Sequence, residues 1–140
     1  MSVIRLLALR DVPIDPAEVS AAVDDRGAGG VVAFTGLVRD TDGGRAVAEL
    51  EYVAHPDAEA ALTRVAEQVA ADLPVRALAA VHRVGLLQVG DVAVVVAAAA
   101  ALRGVAFVAA RRLIDDLKQT VPIWKRQLFR DGDEEWVGSP

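Results

Sequence analysis

Lys118 and Lys125 are the only two lysines among 15 cationic side chains, the other 13 being arginine. A guanidinium stays protonated, whereas a partly buried ammonium can lose its proton and act as a nucleophile or base. The stretch Leu117-Lys118-Gln119-Thr120-Val121-Pro122-Ile123-Trp124-Lys125-Arg126 is therefore the first candidate for a reactive site. The plainer alternative is that both lysines are solvated charges near a helix C-terminus, where cations are favoured in any case. Local charge adds weight to the first reading. Seven of the 15 cations fall between Arg103 and Arg130, with Asp115 and Asp116 as the only acids there. A basic region inside a chain of net charge −5 suits a small anionic ligand or an acidic tail better than a long polyanion, and nucleic-acid binding is not expected.

Composition removes several other chemistries. The chain has no cysteine, so disulfides, thiolate metal sites and a cysteine nucleophile are excluded, and any sulfur must come from another molecule. His55 and His82 are too far apart in sequence to form a His pair one helical turn apart; no metal and no cofactor are expected. The longest apolar run, Val92 to Leu102, is too short to span a bilayer, and Met1 to Arg5 lacks a secretory pattern. We expect a soluble cytoplasmic protein whose residues 1–140 form one domain.

The elements that must position the lysines follow from periodicity. Ser2 to Leu9 reads as a strand, and Asp15-Pro16-Ala17-Glu18 gives the start signal of a short helix ending near Val23. Val31 to Arg39 is an apolar, β-branched run expected to be a central strand, with Gly36 marking a bulge or a close approach by a ligand. Asp40 to Arg45 reads as a flexible loop. In the strand that follows, Ala46, Ala48, Leu50 and Tyr52 share one face, leaving Glu49 and Glu51 on a solvated one. A helix opens at His55-Pro56-Asp57, buries Ala61, Leu62, Val65 and Val69, and stops at Pro74.

Val75 to Val84 and Asp91 to Leu102 read as two long strands joined through Gly85 to Gly90. Gly104 to Gln119 is the strongest helix, with Ala106, Ala110, Leu113 and Leu117 inward and Lys118 in its last turn. Pro122 ends helical geometry, and Ile123 to Phe129 alternates as a strand, followed by a turn at Asp131-Gly132-Asp133 and a final extended piece, Glu134 to Val137. The class is α+β, with a mixed, mostly antiparallel sheet and about three helices, an α/β-hammerhead-like arrangement.

Seven short motifs recur in one order: Phe-Thr-Gly-x-Val-Arg at Phe34 to Arg39, Leu-Glu-Tyr at Leu50 to Tyr52, His-Arg-x-Gly at His82 to Gly85, Val-Gly-Asp at Val89 to Asp91, Leu117-Lys118, Pro-x-Trp-Lys at Pro122 to Lys125, and Glu-Trp-Val at Glu135 to Val137. In these the chain, from about Gly27 to Val137, resembles the large, catalytic subunit of molybdopterin synthase. The resemblance implies a sulfurtransferase that converts cyclic pyranopterin monophosphate to molybdopterin. Its sulfur arrives as a thiocarboxylate on the C-terminal Gly-Gly of a small ubiquitin-like sulfur-carrier subunit.

By the same resemblance Lys118 and Lys125 are the catalytic residues, one engaging the donor tail and the other moving protons. Arg39 and Arg103 hold the anionic substrate, joined in substrate binding by Phe34 and Arg126, and the Arg103 site is completed across a homodimer within a heterotetramer. The family commonly carries His-Arg where this chain has Leu102-Arg103. Two other readings stand beside the synthase: a non-catalytic anion- or partner-tail-binding module of the same fold, and a small dimeric sensor of an anionic metabolite. Trp124 is expected to anchor the reactive segment by packing, and His82 to be a hydrogen-bonded structural histidine.

Overall fold

Residues 2–138 are described by the structure, a computed structural model. In chain order the elements are β1 (Ile4–Arg10), α1 (Pro16–Ala22), β2 (Gly30–Leu37), β3 (Thr41–Asp42), β4 (Arg45–Ala54), α2 (Ala58–Asp72), β5 (Val75–Arg83), β6 (Gly85–Gln88), β7 (Val92–Ala100), α3 (Arg103–Thr120), β8 (Ile123–Phe129) and β9 (Glu134–Val137). The expected α+β class holds: three helices accompany two sheets in which only β1 and β5 run parallel.

The first sheet has the order β1-β5-β7-β2. Its middle strands are buried on both faces. Ala77, Ala79 and Val81 of β5 meet Val19 and Val23 at α1, while Leu78 and Ala80 meet Leu62 of α2 and Leu113 and Leu117 of α3. Burial on both sides is why β5 and β7 read as continuous apolar runs without alternation. Asp15 accepts a hydrogen bond from the Ala17 backbone N–H and Pro16 fills the first helical position, which fixes the start of α1. By contrast α3 opens at Leu102 with no side-chain cap and no acid in its first turn. Its closing turn is held by the Val121 N–H donating to the Leu117 carbonyl at 3.0 Å, directly before Pro122.

Several expectations change, while the bulge expected at Gly36 is present. The Val31 to Arg39 run is an edge strand, pairing only with β7, because strand order is set by long-range partners that hydropathy does not report. Gly36 does mark a register shift, but the space above it belongs to Val94 Cγ1, 2.8 Å from where a Cβ would sit, and not to a ligand. The Asp40 to Arg45 loop contains β3, which folds back on β4 through Gly43 and Gly44, both at positive φ (58° and 81°) that suits glycine.

In the second sheet β4 is central, paired with β8 and with β3 and β6, and β9 adds to β8. The connection from β5 to β7 thus holds a strand of its own, β6. A register shift between Val47 and Glu49 turns the face of β4, so Val47 is buried with Leu50 and Tyr52 and Ala46 is exposed, contrary to the simple alternation.

Candidate active site at the end of the last helix

Strand alternation sorts the residues of β8. Lys125 lies across from Tyr52 of β4 and Val137 of β9; one residue on, Arg126 lies across from Glu51 and Trp136. Neighbouring positions on a strand face opposite ways. Lys125 therefore turns toward the C-terminal end of α3, where Lys118 occupies the last turn. The two lysines line one cavity of about 160 Å³, together with Tyr52, His82, Leu117, Val121, Ile123, Val137 and Gly138. Pro122 makes this possible by stopping α3 between them, and its carbonyl accepts from the His55 N–H at 3.0 Å.

Within this cavity the charges are asymmetric. The flank of Lys118 is exposed, but protein crowds its amine; this desolvation, and then the charge of Lys125, lower its pKa from the ordinary lysine value. His82 is 2% exposed, and burial, added to by the charge of Lys118, drops its pKa from 6.5 to about 4 despite an opposing contribution from the Arg83 carbonyl. It is a neutral imidazole. Burial raises the pKa of Tyr52, whose ring stands edge-on to His82 at 4.8 Å between centroids.

Lys125 and Tyr52 also line a second, smaller cavity of about 60 Å³ with Arg39, Asp42 and Gln127. The buried Gln127 donates to Asp42 at 2.6 Å, and Arg39 approaches the same carboxylate at 3.4 Å from an exposed position. The Gln127 hydrogen bond, then the charges of Lys125 and Arg39, hold Asp42 below the usual carboxylate range. Lys125 thus forms a wall between a cavity holding a second amine and one holding a guanidinium.

Of the six expected site residues, Lys118, Lys125 and Arg39 gather here. Arg126 does not: on the opposite face of β8 it donates to Glu51 at 3.1 Å and Glu134 at 2.9 Å, which also raise its pKa. Phe34 sits on the β2 edge, 45% exposed, and lines neither cavity. Arg103 begins the helix that Lys118 ends; from residue 103 to residue 118, at about 1.5 Å per residue, the separation is about 22 Å, more than the two side chains span. Tyr52, Asp42 and Gln127 are site residues that the sequence reading passed over. Counting by two from Lys125 reaches Gln127, but Tyr52 and Asp42 arrive only through pairing with distant strands. Among the described residues no three His, Asp or Glu side chains gather as a metal-ligand set. Among the described residues no helix is long and apolar enough to cross a membrane.

Comparison with known proteins identifies the family. The molybdopterin synthase catalytic subunit of Nostoc sp. (strain PCC 7120) is 39% identical over 135 residues, spanning 93% of this chain and 80% of that protein. Molybdopterin synthase catalytic subunit 1 of Mycobacterium tuberculosis is 42% identical over 134 residues, 93% of this chain and 88% of its own. The crystal structure of molybdopterin synthase from Staphylococcus aureus superposes with a TM-score of 0.85 at 32% identity, covering 93% of this chain and 95% of that one. The family model described as MoaE protein matches residues 9–120, and with the relatives above it shows that the chain belongs to the MoaE protein family.

Proposed function

We infer that the chain, a single domain over residues 1–140, is the catalytic subunit of a cytoplasmic molybdopterin synthase. It converts cyclic pyranopterin monophosphate to molybdopterin with sulfur from a small carrier subunit ending in a Gly-Gly thiocarboxylate. The observation that carries this reading is the meeting of the only two lysines in one cavity, at the end of α3 and the start of β8. In that cavity Lys118, with its lowered pKa, supplies an amine that engages the carbonyl of the donor tail. Lys125, placed between the two cavities, serves as acid or base while the cyclic phosphate opens and water leaves. Arg39 holds the phosphate from the far side of Lys125. At each transfer the tail's C–S bond breaks as sulfur passes to the substrate, and a water molecule attacks the acyl carbon, so that the donor tail returns as an ordinary carboxylate.

Arg103 enters this scheme only from a second copy, since its own helix holds it away from its own Lys118. A surface suited to that copy lies beside it: β2 leaves Val31, Phe34 and Leu37 exposed, and α3, packed against β2, leaves Leu102, Phe107 and Val108 exposed. Two catalytic chains with two carriers give the heterotetramer. Arg126 is left out of substrate binding, its guanidinium being occupied by two carboxylates.

Purified chain, thiocarboxylated carrier and cyclic pyranopterin monophosphate are expected to yield molybdopterin, read as its fluorescent oxidation product, and Lys118→Ala is expected to abolish it. Lys125→Ala should lower the rate by about 10²- to 10⁴-fold, the usual worth of a positioned acid or base. If the wild-type chain binds the carrier tail but makes no product, the chain is a tail-binding module instead.

A further inference from the structure

Resting on the proposed function, in which Arg39 holds the substrate's phosphate, we propose that Asp42 is a specificity-determining residue: a fixed negative charge in the phosphate cavity that favours a singly charged cyclic phosphate over a more highly charged monoester. The carboxylate is built into that cavity, which it lines with Arg39, Lys125 and Gln127. Among the described residues it is the only carboxylate lining either this cavity or the one that holds both lysines. A short hairpin places it, Asp42 pairing with Arg45 across Gly43 and Gly44. Its Oδ2 accepts from Gln127 Nε2 at 2.6 Å, and Gln127 is only 2% exposed, so a buried amide is committed to holding this one carboxylate. Its Oδ1 meets Arg39 at 3.4 Å, a long contact from a mostly exposed side chain, which leaves the guanidinium free to turn to a bound phosphate. The Gln127 hydrogen bond first, and then the charges of Lys125 and Arg39, hold Asp42 below the usual carboxylate range, so it is ionised at neutral pH.

The substrate's phosphate is a cyclic diester with one ionisable oxygen and a single negative charge. As sulfur takes the place of one ester oxygen on carbon, that oxygen stays on phosphorus with the bonding electron pair, and the phosphate becomes a monoester carrying about −1.5 to −2 near pH 7. Cations respond to this change against turnover. Arg39, Lys125 and any guanidinium that a second copy supplies attract the monoester more strongly than the diester, so by themselves they hold product more tightly than substrate. Asp42 opposes them with a repulsion that also scales with the charge of the ligand, falling once on the diester and nearly twice on the monoester. The hairpin and the Gln127 amide would be served equally by a neutral acceptor at residue 42; only an ionised one discriminates between the two phosphates. Release of product limits many enzymes, and a carboxylate in the phosphate cavity eases that step while costing the substrate less.

The test compares dissociation constants of cyclic pyranopterin monophosphate and of molybdopterin, measured by equilibrium dialysis under nitrogen on the full chain without its carrier. One unit charge about 4 Å away in water changes binding about fivefold, so Asp42→Asn is expected to bind the cyclic substrate about fivefold more tightly and the monoester product about 10- to 25-fold more tightly. The remainder of each ligand meets the same groups in both proteins and cancels in the comparison. Asp42→Glu, which keeps the charge, should keep the wild-type ratio of the two constants. An equal change for both ligands, no change, or weaker binding of both in Asp42→Asn overturns the proposal. If Asp42→Asn does not fold, Asp42→Ser takes its place in the same comparison. Arg39→Ala distinguishes this proposal from the reading beneath it. Weaker binding of both ligands in Arg39→Ala, with an unchanged ratio in Asp42→Asn, removes the role of Asp42 alone. Constants that Arg39→Ala leaves unmoved put the phosphate elsewhere, and overturn its placement in the proposed function together with the role of Asp42.

Discussion

Lys118 and Lys125 share a cavity but not an environment. Lys118 is desolvated and faces a second cation, and both effects disfavour its charged form. The sign follows directly: a lowered pKa makes the free amine appear at lower pH than in an ordinary lysine, and removing the neighbouring charge must raise that pKa again. With only two lysines, carbon-13 methylation gives one signal from each. The Lys118 signal is expected to titrate below the ordinary value of 10.5, and to shift upward in Lys125→Ala. A titration that ignores Lys125→Ala removes the like-charge contribution. The rarity of lysine made this pair legible in the sequence. Identity and nearness say nothing of facing, whereas counting by two along Ile123 to Phe129 separates Lys125 from Arg126 at once.

At the scale of elements, the cavity depends on a helix end and a strand start held by the first sheet. The helices and β5 and β7 were legible because periodicity and β-branched runs are local signals. The edge position of β2, the strand β6 and the turned face of β4 were not, since each depends on a partner far along the chain. Gly36 tests the packing of β2. A methyl there meets Val94 Cγ1 at 2.8 Å, and valine has little rotamer freedom with which to yield. Gly36→Ala is expected to cost about 1–3 kcal/mol, seen as a lower denaturation midpoint at unchanged m-value. An unchanged midpoint would mean that the register shift relaxes freely. The same strand carries the apolar edge, and Val31→Glu combined with Leu37→Glu should convert a dimer to a monomer in light scattering, with the fold intact by circular dichroism. A dimer that survives both charges uses another face.

At the scale of the whole molecule, the proposed function puts its site across two copies, because of the length of α3. Arg103 and Lys118 stand at opposite ends of one helix, so each can serve chemistry together only if a second chain brings its Arg103 to the first chain's Lys118. Closed two-fold symmetry would then make two equivalent sites, each drawing Lys118 from one chain and Arg103 from the other. Leu102, exposed, directly precedes Arg103 at the start of α3. Subunit mixing separates this arrangement from one confined to a single chain. Arg103→Ala and Lys118→Ala chains are each expected to be weak or inactive alone. Mixed and re-equilibrated, half the dimers combine the two, and each such dimer has one site with both native residues and one with neither, so about a quarter of wild-type activity returns. Covalent locking of each mutant dimer before mixing should prevent the recovery. If no activity returns from freely exchanging chains, Arg103 and Lys118 do not meet across the interface, and the phosphate must be held by Arg39 and its own chain alone.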